Sequence, residues 1–313
     1  MKHVKWIVPA VIIIALGVYV FVFTTAFTDR LTKYNASVDA EGVCRVPAHI
    51  RRIEDKCFWK NTRLKEIVFE GDQVASIGSY AFSQCSNLRK AKIPDSVTSI
   101  GSSAFSFCGS LRSVELPSSI TSVSRSAFWE CGDLESASIP DSVTAIEEGA
   151  FYNCLSLASV KLPDSLKVID KYAFFSSGLT TADIPDSVTS IGEYAFSRCH
   201  NLKSAVIPGS VDSISAAAFG YCTSLETIEI PDSVVSIGDS AFRCCTSLKS
   251  IEIPDSVVSI GEYAFGSCKL LKSAAIPASA NVIGKEAFFG VPVVYYNGPA
   301  AGSPWGAQKH VRR

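Results

Sequence analysis

Eleven cysteines and four histidines are the side chains in this 313-residue chain best suited to redox, metal or nucleophilic chemistry. Cysteines at close spacing bind zinc or build a disulfide framework. Most of these do neither by pattern. Cys85, Cys108, Cys131, Cys154, Cys199, Cys222, Cys245 and Cys268 each follow a phenylalanine by three residues. They are therefore copies of one position, a structural column whose neighbours stack about 4.8 Å apart. Parallel side chains keep their Cβ atoms near that spacing instead of the roughly 3.8 Å of a disulfide. The column is expected to be a row of buried thiols. No CxxC and no Cys/His pairing marks a metal site. Cys44 and Cys57 precede the regular array and are the better disulfide candidates in an exported domain, while Cys244 is a spare thiol beside Cys245.

The remaining chemistry is sparse. His3, His49, His200 and His310 lack HExxH spacing and are expected to be solvated. No GxSxG elbow, phosphate-binding loop or GxGxxG after a strand is present. Carboxylates such as Asp232 and Asp255 recur at one place in the period, which argues for turn capping over catalysis. The expectation is a non-enzyme with no cofactor and no metal.

The element that positions all of these residues is a repeat. Phenylalanine falls at Phe82, Phe105, Phe128, Phe151 and Phe174, then at Phe196, Phe219, Phe242, Phe265 and Phe288, in steps of 23 residues except 22 between Phe174 and Phe196. Proline keeps the same beat from Pro94 to Pro277. A fixed period of this size marks a solenoid, in which each unit buries its apolar face only against its neighbours. One unit reads Ile-Pro-Asp-Ser-Val-x-x-Ile-Gly-x-x-Ala-Phe-x-x-Cys-x-x-Leu-x-x-Ile-x-Ile. Alternation at Leu225, Ile228 and Ile230 predicts a half-buried strand, stacked parallel from unit to unit. Proline ends the strand, and Asp-Ser suits a turn whose side chains bond nearby backbone. The Ala-Phe step is expected as a short helical turn that drives Phe into the centre. The unit at Phe174 is one residue short and lacks the column cysteine, so a local irregularity is expected there. In the first unit Asn61 takes the cysteine slot, which points to a side chain hydrogen-bonded to loop backbone.

Lys+Arg 29 against Asp+Glu 30 leaves a net charge of -1 with no basic stripe, so nucleic acid is not an expected partner. Residues 1–28 stand apart. Lys2 and Lys5 precede an uncharged run from Trp6 to Phe27, long enough to cross a bilayer core as one transmembrane helix. It is longer than the apolar region of a cleaved signal peptide, which favours a signal anchor; Thr24-Thr25-Ala26 offers a cleavage site, and cleavage would make the chain secreted. The basic start favours a cytoplasmic N-terminus and an external solenoid. The expected organisation is an anchor at 1–28, a linker at 29–43, a solenoid of about eleven units at 44–296, and a cap and tail at 297–313.

The string Ile-Pro-Asp-Ser-Val-Thr-Ser-Ile-Gly…Ala-Phe…Cys…Leu resembles the leucine-rich repeat of BspA-like (Treponema-type) surface proteins over about residues 44 to 296. The Ser-Pro-Trp-Gly tail also resembles closing segments of that family. The resemblance implies a leucine-rich repeat solenoid with a parallel sheet on its concave wall, a cell-surface or secreted location, and a role in adhesion or host contact. On the strand wall, the outward positions include Lys90, Lys92, Glu115, Lys161, Asp183, Glu229 and Glu252, basic toward the amino end and acidic toward the carboxyl end. These are the candidate partner-binding residues for an extracellular protein or glycan. The alternative is an envelope scaffold or spacer without a specific ligand.

Overall fold

The computed structural model describes residues 28–33 and 35–312. The expected anchor, apart from Thr28, lies outside the described residues. Among those described, no helix is long and apolar enough to cross a membrane. The chain winds into about twelve coils, and each coil has three walls.

The first wall carries the expected strands. Glu66–Phe69, Lys90–Lys92, Ser113–Glu115 and Ser136–Ser138 pair in parallel, each with the next coil. Their middle residues, Ala91, Val114 and Ala137, point into the core while their flanks face solvent. The sheet resumes at Thr181–Asp183, Ser204–Val206 and Thr227–Glu229, and again at Ser273–Ala275 and Val293–Tyr295. Between these blocks, residues 159–161 and 250–252 hold the wall by single bridges, Ser138 to Lys161 and Glu252 to Ala275. The first gap falls on the coil that leads into the short unit.

At the proline corner, the expected local capping is replaced by ties between coils. The Ser233 hydroxyl donates to the carbonyl of Val211, 2.6 Å away in the previous coil, and Ser165, Ser187 and Ser256 make the same bond to Val143, Leu166 and Val234. Asp95 accepts from the backbone N–H and hydroxyl of Ser118 in the next coil. Those bonds, the backbone one foremost, hold its carboxyl below the usual range.

The second wall is a ladder of two-residue strands such as Ser99–Ile100 and Ser236–Ile237. In most coils the residue after the isoleucine sends its backbone N–H to the previous coil, as Gly101 does to Ile77 and Gly238 to Ile214. Glycine is needed at Gly101 because a Cβ would lie 2.4 Å from the Ser79 nitrogen. Where serine replaces it, at Ser124 and Ser215, the hydroxyl reaches that carbonyl instead, 2.5 Å to Ile100 and to Ile191. The ladder is interrupted at these same two coils.

The third wall corrects the expectation of a helical turn. Among the described residues there is no helix. Residues two before and two after the repeat Phe take left-handed backbone, as at Tyr80 (φ 57°) and Gln84 (φ 61°), and a right-handed helix cannot pass through them. Alternate N–H groups leave the coil altogether: Tyr80, Phe82 and Gln84 donate to Ser102, Ala104 and Ser106 of the next one. The intervening N–H groups of Ala81, Ser83 and Cys85 close four-residue turns on the carbonyls of Gly78, Tyr80 and Phe82. The wall is thus a chain of turns cross-linked to its neighbours.

The repeat phenylalanines fill the centre as a stack with ring centroids 5.1 to 5.8 Å apart, from Phe58 to Phe288. In the short unit Ser177 takes the cysteine slot and bonds to the Cys199 sulfur at 3.3 Å. The missing residue is lost just after it, at Gly178, where the backbone passes so close that a Cβ would lie 2.2 Å from the Leu155 carbonyl oxygen.

The ladder extends past both expected bounds. Arg30–Leu31 pairs with Arg52–Ile53 inside the expected linker. Lys309–Val311 adds a strand beyond Val293–Tyr295, inside the expected cap and tail. Between them the buried Trp305 offers its carbonyl to the N–H of Phe288, the role an alanine carbonyl plays in other coils. His310, expected to be solvated, is half-buried and bonds to Ser303 and the Tyr296 carbonyl.

Candidate functional site: the strand wall

All seven candidate residues lie on the first wall and face solvent. The parallel register brings them together in pairs. Lys92 and Glu115 are direct neighbours across strands. Lys90 and Lys92 line a hollow of about 290 Å³ together with Glu66, Val68 and Phe69. Lys161 and Asp183 share a hollow of about 840 Å³ at the first gap in the sheet, where Asp164 and Asp186 also converge. Glu229 and Glu252 share one of about 710 Å³ at the second gap, with Asp232 and Asp255 on its edge.

Two of the three hollows coincide with the gaps in the sheet, whereas the one at Lys90 and Lys92 lies over paired strands. The charge pattern is also redistributed. Lys161 sits among three aspartates, so the basic end is confined to Lys90 and Lys92, and charge grows more negative toward Glu229 and Glu252. Among the described residues, five ion pairs form and none includes any of these seven side chains. Lys92 beside Glu115 and Lys161 among aspartates partly offset each other, while Glu229 and Glu252 share a hollow with no cation lining it.

The cysteine column is buried and points inward. Each thiol donates to the carbonyl of the repeat Phe in the coil before, as Cys85 does to Phe58 at 3.1 Å and Cys245 to Phe219 at 3.2 Å. The same bond recurs at Cys108, Cys131, Cys154, Cys199, Cys222 and Cys268. Asn61 uses its side-chain oxygen to cap Arg63 and Leu64 in its own coil. Burial pushes the Cys85, Cys131 and Cys268 thiols up to about 12. Cys44 and Cys57 are buried free thiols rather than a disulfide in this structure, raised by burial to about 11 and 12. Among the described residues, no cluster of three or more His, Cys, Asp or Glu side chains is placed to hold a metal ion.

Sequence reading missed the aromatic residues of the third wall. Trp59, Trp129, Tyr152 and Phe175 directly follow the repeat Phe, and Tyr80, Tyr172, Tyr194 and Tyr263 precede it by two. The signal was present in columns beside the Phe that alternate too irregularly to enter the consensus. In space Trp129 stacks on Tyr152 at 3.7 Å, and Tyr152 on Phe175 at 4.7 Å.

The sequence pattern described as BspA type leucine rich repeat region (6 copies) matches residues 51–179, 121–222 and 189–301. A leucine-rich repeat protein from Bacteroides ovatus is 27% identical, with a TM-score of 0.66 over 87% of this chain and 85% of that one. A leucine rich cell surface protein from Faecalibacterium prausnitzii is 26% identical, with a TM-score of 0.56 over 88% and 92%. The pneumococcal vaccine antigen PcpA shares the fold at 23% identity and a TM-score of 0.60, over 84% of this chain and 69% of that one. None of the curated proteins compared matches by sequence.

Proposed function

Because the chain belongs to the BspA-type leucine-rich repeat family, we propose that it is a surface-displayed, non-catalytic interaction module whose strand wall receives an extracellular protein. The apolar run from Trp6 to Phe27 would hold it to the membrane with the solenoid outside. The observation that carries this reading is the wall of exposed charges without ion-pair partners, graded from Lys90 and Lys92 to the carboxylates around Glu229 and Glu252. A graded potential on a rigid frame steers encounter and fixes the orientation of a complementary partner. The F. prausnitzii neighbour, described as a cell surface protein, supports the same placement.

The test uses cells displaying the chain, settled on an immobilised extracellular-matrix extract. Saturable retention is expected, falling several-fold at low ionic strength for the Glu229→Lys/Glu252→Lys variant. Equal retention of that variant removes this wall as the docking surface. Absence of retention for the native chain favours the spacer reading.

A further inference from the structure

The third wall carries a trough of a different chemistry. At the position after the repeat Phe, bulky rings stand at Trp59 and Trp129, but the two coils between carry Ser83 and Ser106. The small residues leave a trough of about 540 Å³. Its floor is polar: Ser106 donates to the Ser83 hydroxyl at 2.9 Å, and both are buried. Its sides are rings held in solvent, with Trp59 44%, Tyr80 42% and Phe107 47% exposed. Toward the carboxyl end the wall is filled by the stack that begins at Trp129, so the trough is closed on that side.

Charge is equally specific. Lys56 lines the trough and lies 5.6 Å from the Trp59 ring and 5.8 Å from the Tyr80 ring. Lys60 lies over Trp59 at 4.4 Å. No carboxylate lines the trough. Exposed aromatic faces beside hydroxyls and an amide (Gln84) match an amphipathic ligand with an apolar face and a polar rim. A pyranose ring has that form, with C–H groups on one face and hydroxyls around its edge. The polar groups that reach solvent around the trough, Gln84, Ser103, Ser126 and Lys56, would be left unmatched by an apolar peptide helix. Trp59, Tyr80 and Phe107 belong to three successive coils, which lie 5.1 to 5.6 Å apart at the core rings, so they offer separate platforms along the axis to successive sugars.

We propose that this trough binds a short acidic oligosaccharide laid along the solenoid axis, with its sugar faces on Trp59, Tyr80 and Phe107 and a carboxylate or sulfate beside Lys56. The site is separate from the strand wall, and its success or failure leaves the protein-docking reading untouched.

The test is a titration of the purified full chain with hyaluronan tetrasaccharide and, for comparison, neutral chitotetraose, followed by tryptophan emission and calorimetry. Saturable binding of the acidic sugar is expected, at least ten-fold weaker in Trp59→Ala and in Phe107→Ala. Both side chains are half in solvent, so unchanged thermal melting separates lost binding from lost fold. Lys56→Ala should abolish the preference for the acidic sugar, and Glu229→Lys/Glu252→Lys should leave sugar binding unchanged. No saturation with either sugar, or native affinity in both ring variants, overturns the proposal. Tighter binding of the neutral sugar overturns its acidic part.

Discussion

The thiol of Cys131 donates to the carbonyl oxygen of Phe105, one coil earlier, across 3.1 Å. That oxygen also accepts the backbone N–H of Cys108, so the Phe105 carbonyl joins its own turn to the next coil. Cys131→Ala should cost about 1–2 kcal/mol through the lost bond and the small void. Cys131→Ser keeps a hydroxyl donor in the slot, a residue type that the short unit accommodates there at Ser177, and should lose less than half as much. Urea midpoints of the two variants check this, and equal losses would contradict it.

The same burial sets an alkaline limit. Thiols with an ordinary value of 9.0 are raised to about 11 at Cys199 and about 12 at Cys57, Cys85, Cys131 and Cys268. The folded chain therefore keeps protons that the unfolded chain releases above pH 9. Stability from this source is complete below about pH 9 and declines as pH climbs toward 12. Urea midpoints should fall between pH 9 and 11, and thiol reagent at pH 8 should label only the half-buried Cys244 rapidly. Rapid labelling of several cysteines in the native chain would contradict the buried column.

Gly178 and Gly209 make a matched pair. A Cβ at Gly178 would lie 2.2 Å from the Leu155 carbonyl oxygen, whereas nothing lies within 4 Å of one at Gly209. Gly178→Ala should cost about 3 kcal/mol, the upper range for overpacking against backbone. Gly209→Ala should be neutral or slightly stabilising, since it narrows the unfolded ensemble. Thermal melts decide, and similar effects at both sites would count against the short-corner geometry.

The architecture was legible because its signal is repeated. Phe, Pro, Cys and Leu each recur with the coil, so parallel stacking, the inward Phe and the thiol column follow from spacing alone. What escaped depends on contacts one coil away. The helical turn was misread because Ala-Phe looks locally helical, while the deciding bonds, such as Phe82 to Ala104, cross to the next coil. The breaks at Ser124 and Ser215 rest on a hydroxyl replacing an N–H. The exposed charges lie on the strand wall, but which of them share a hollow depends on the fold, since the hollows at Lys161 and Glu252 open where the sheet lapses and the one at Lys90 does not.

One serine breaks its own pattern. The hydroxyl of Ser142 is buried without a hydrogen-bond partner, while Ser233 at the equivalent corner bonds to Val211. Ser142→Ala should be neutral or stabilise by up to about 1 kcal/mol, because a desolvated hydroxyl is removed. Ser233→Ala should cost about 1 kcal/mol. Opposite signs in denaturant melts support the inter-coil role of these serines; equal losses would refute it.

The central claim is that the solenoid is displayed outside the cell as an interaction surface. Protease shaving of intact cells that carry the chain with a C-terminal tag tests it most directly. The account predicts that the tag is lost while an N-terminal fragment stays in the membrane fraction. A tag protected until the cells are opened would contradict it.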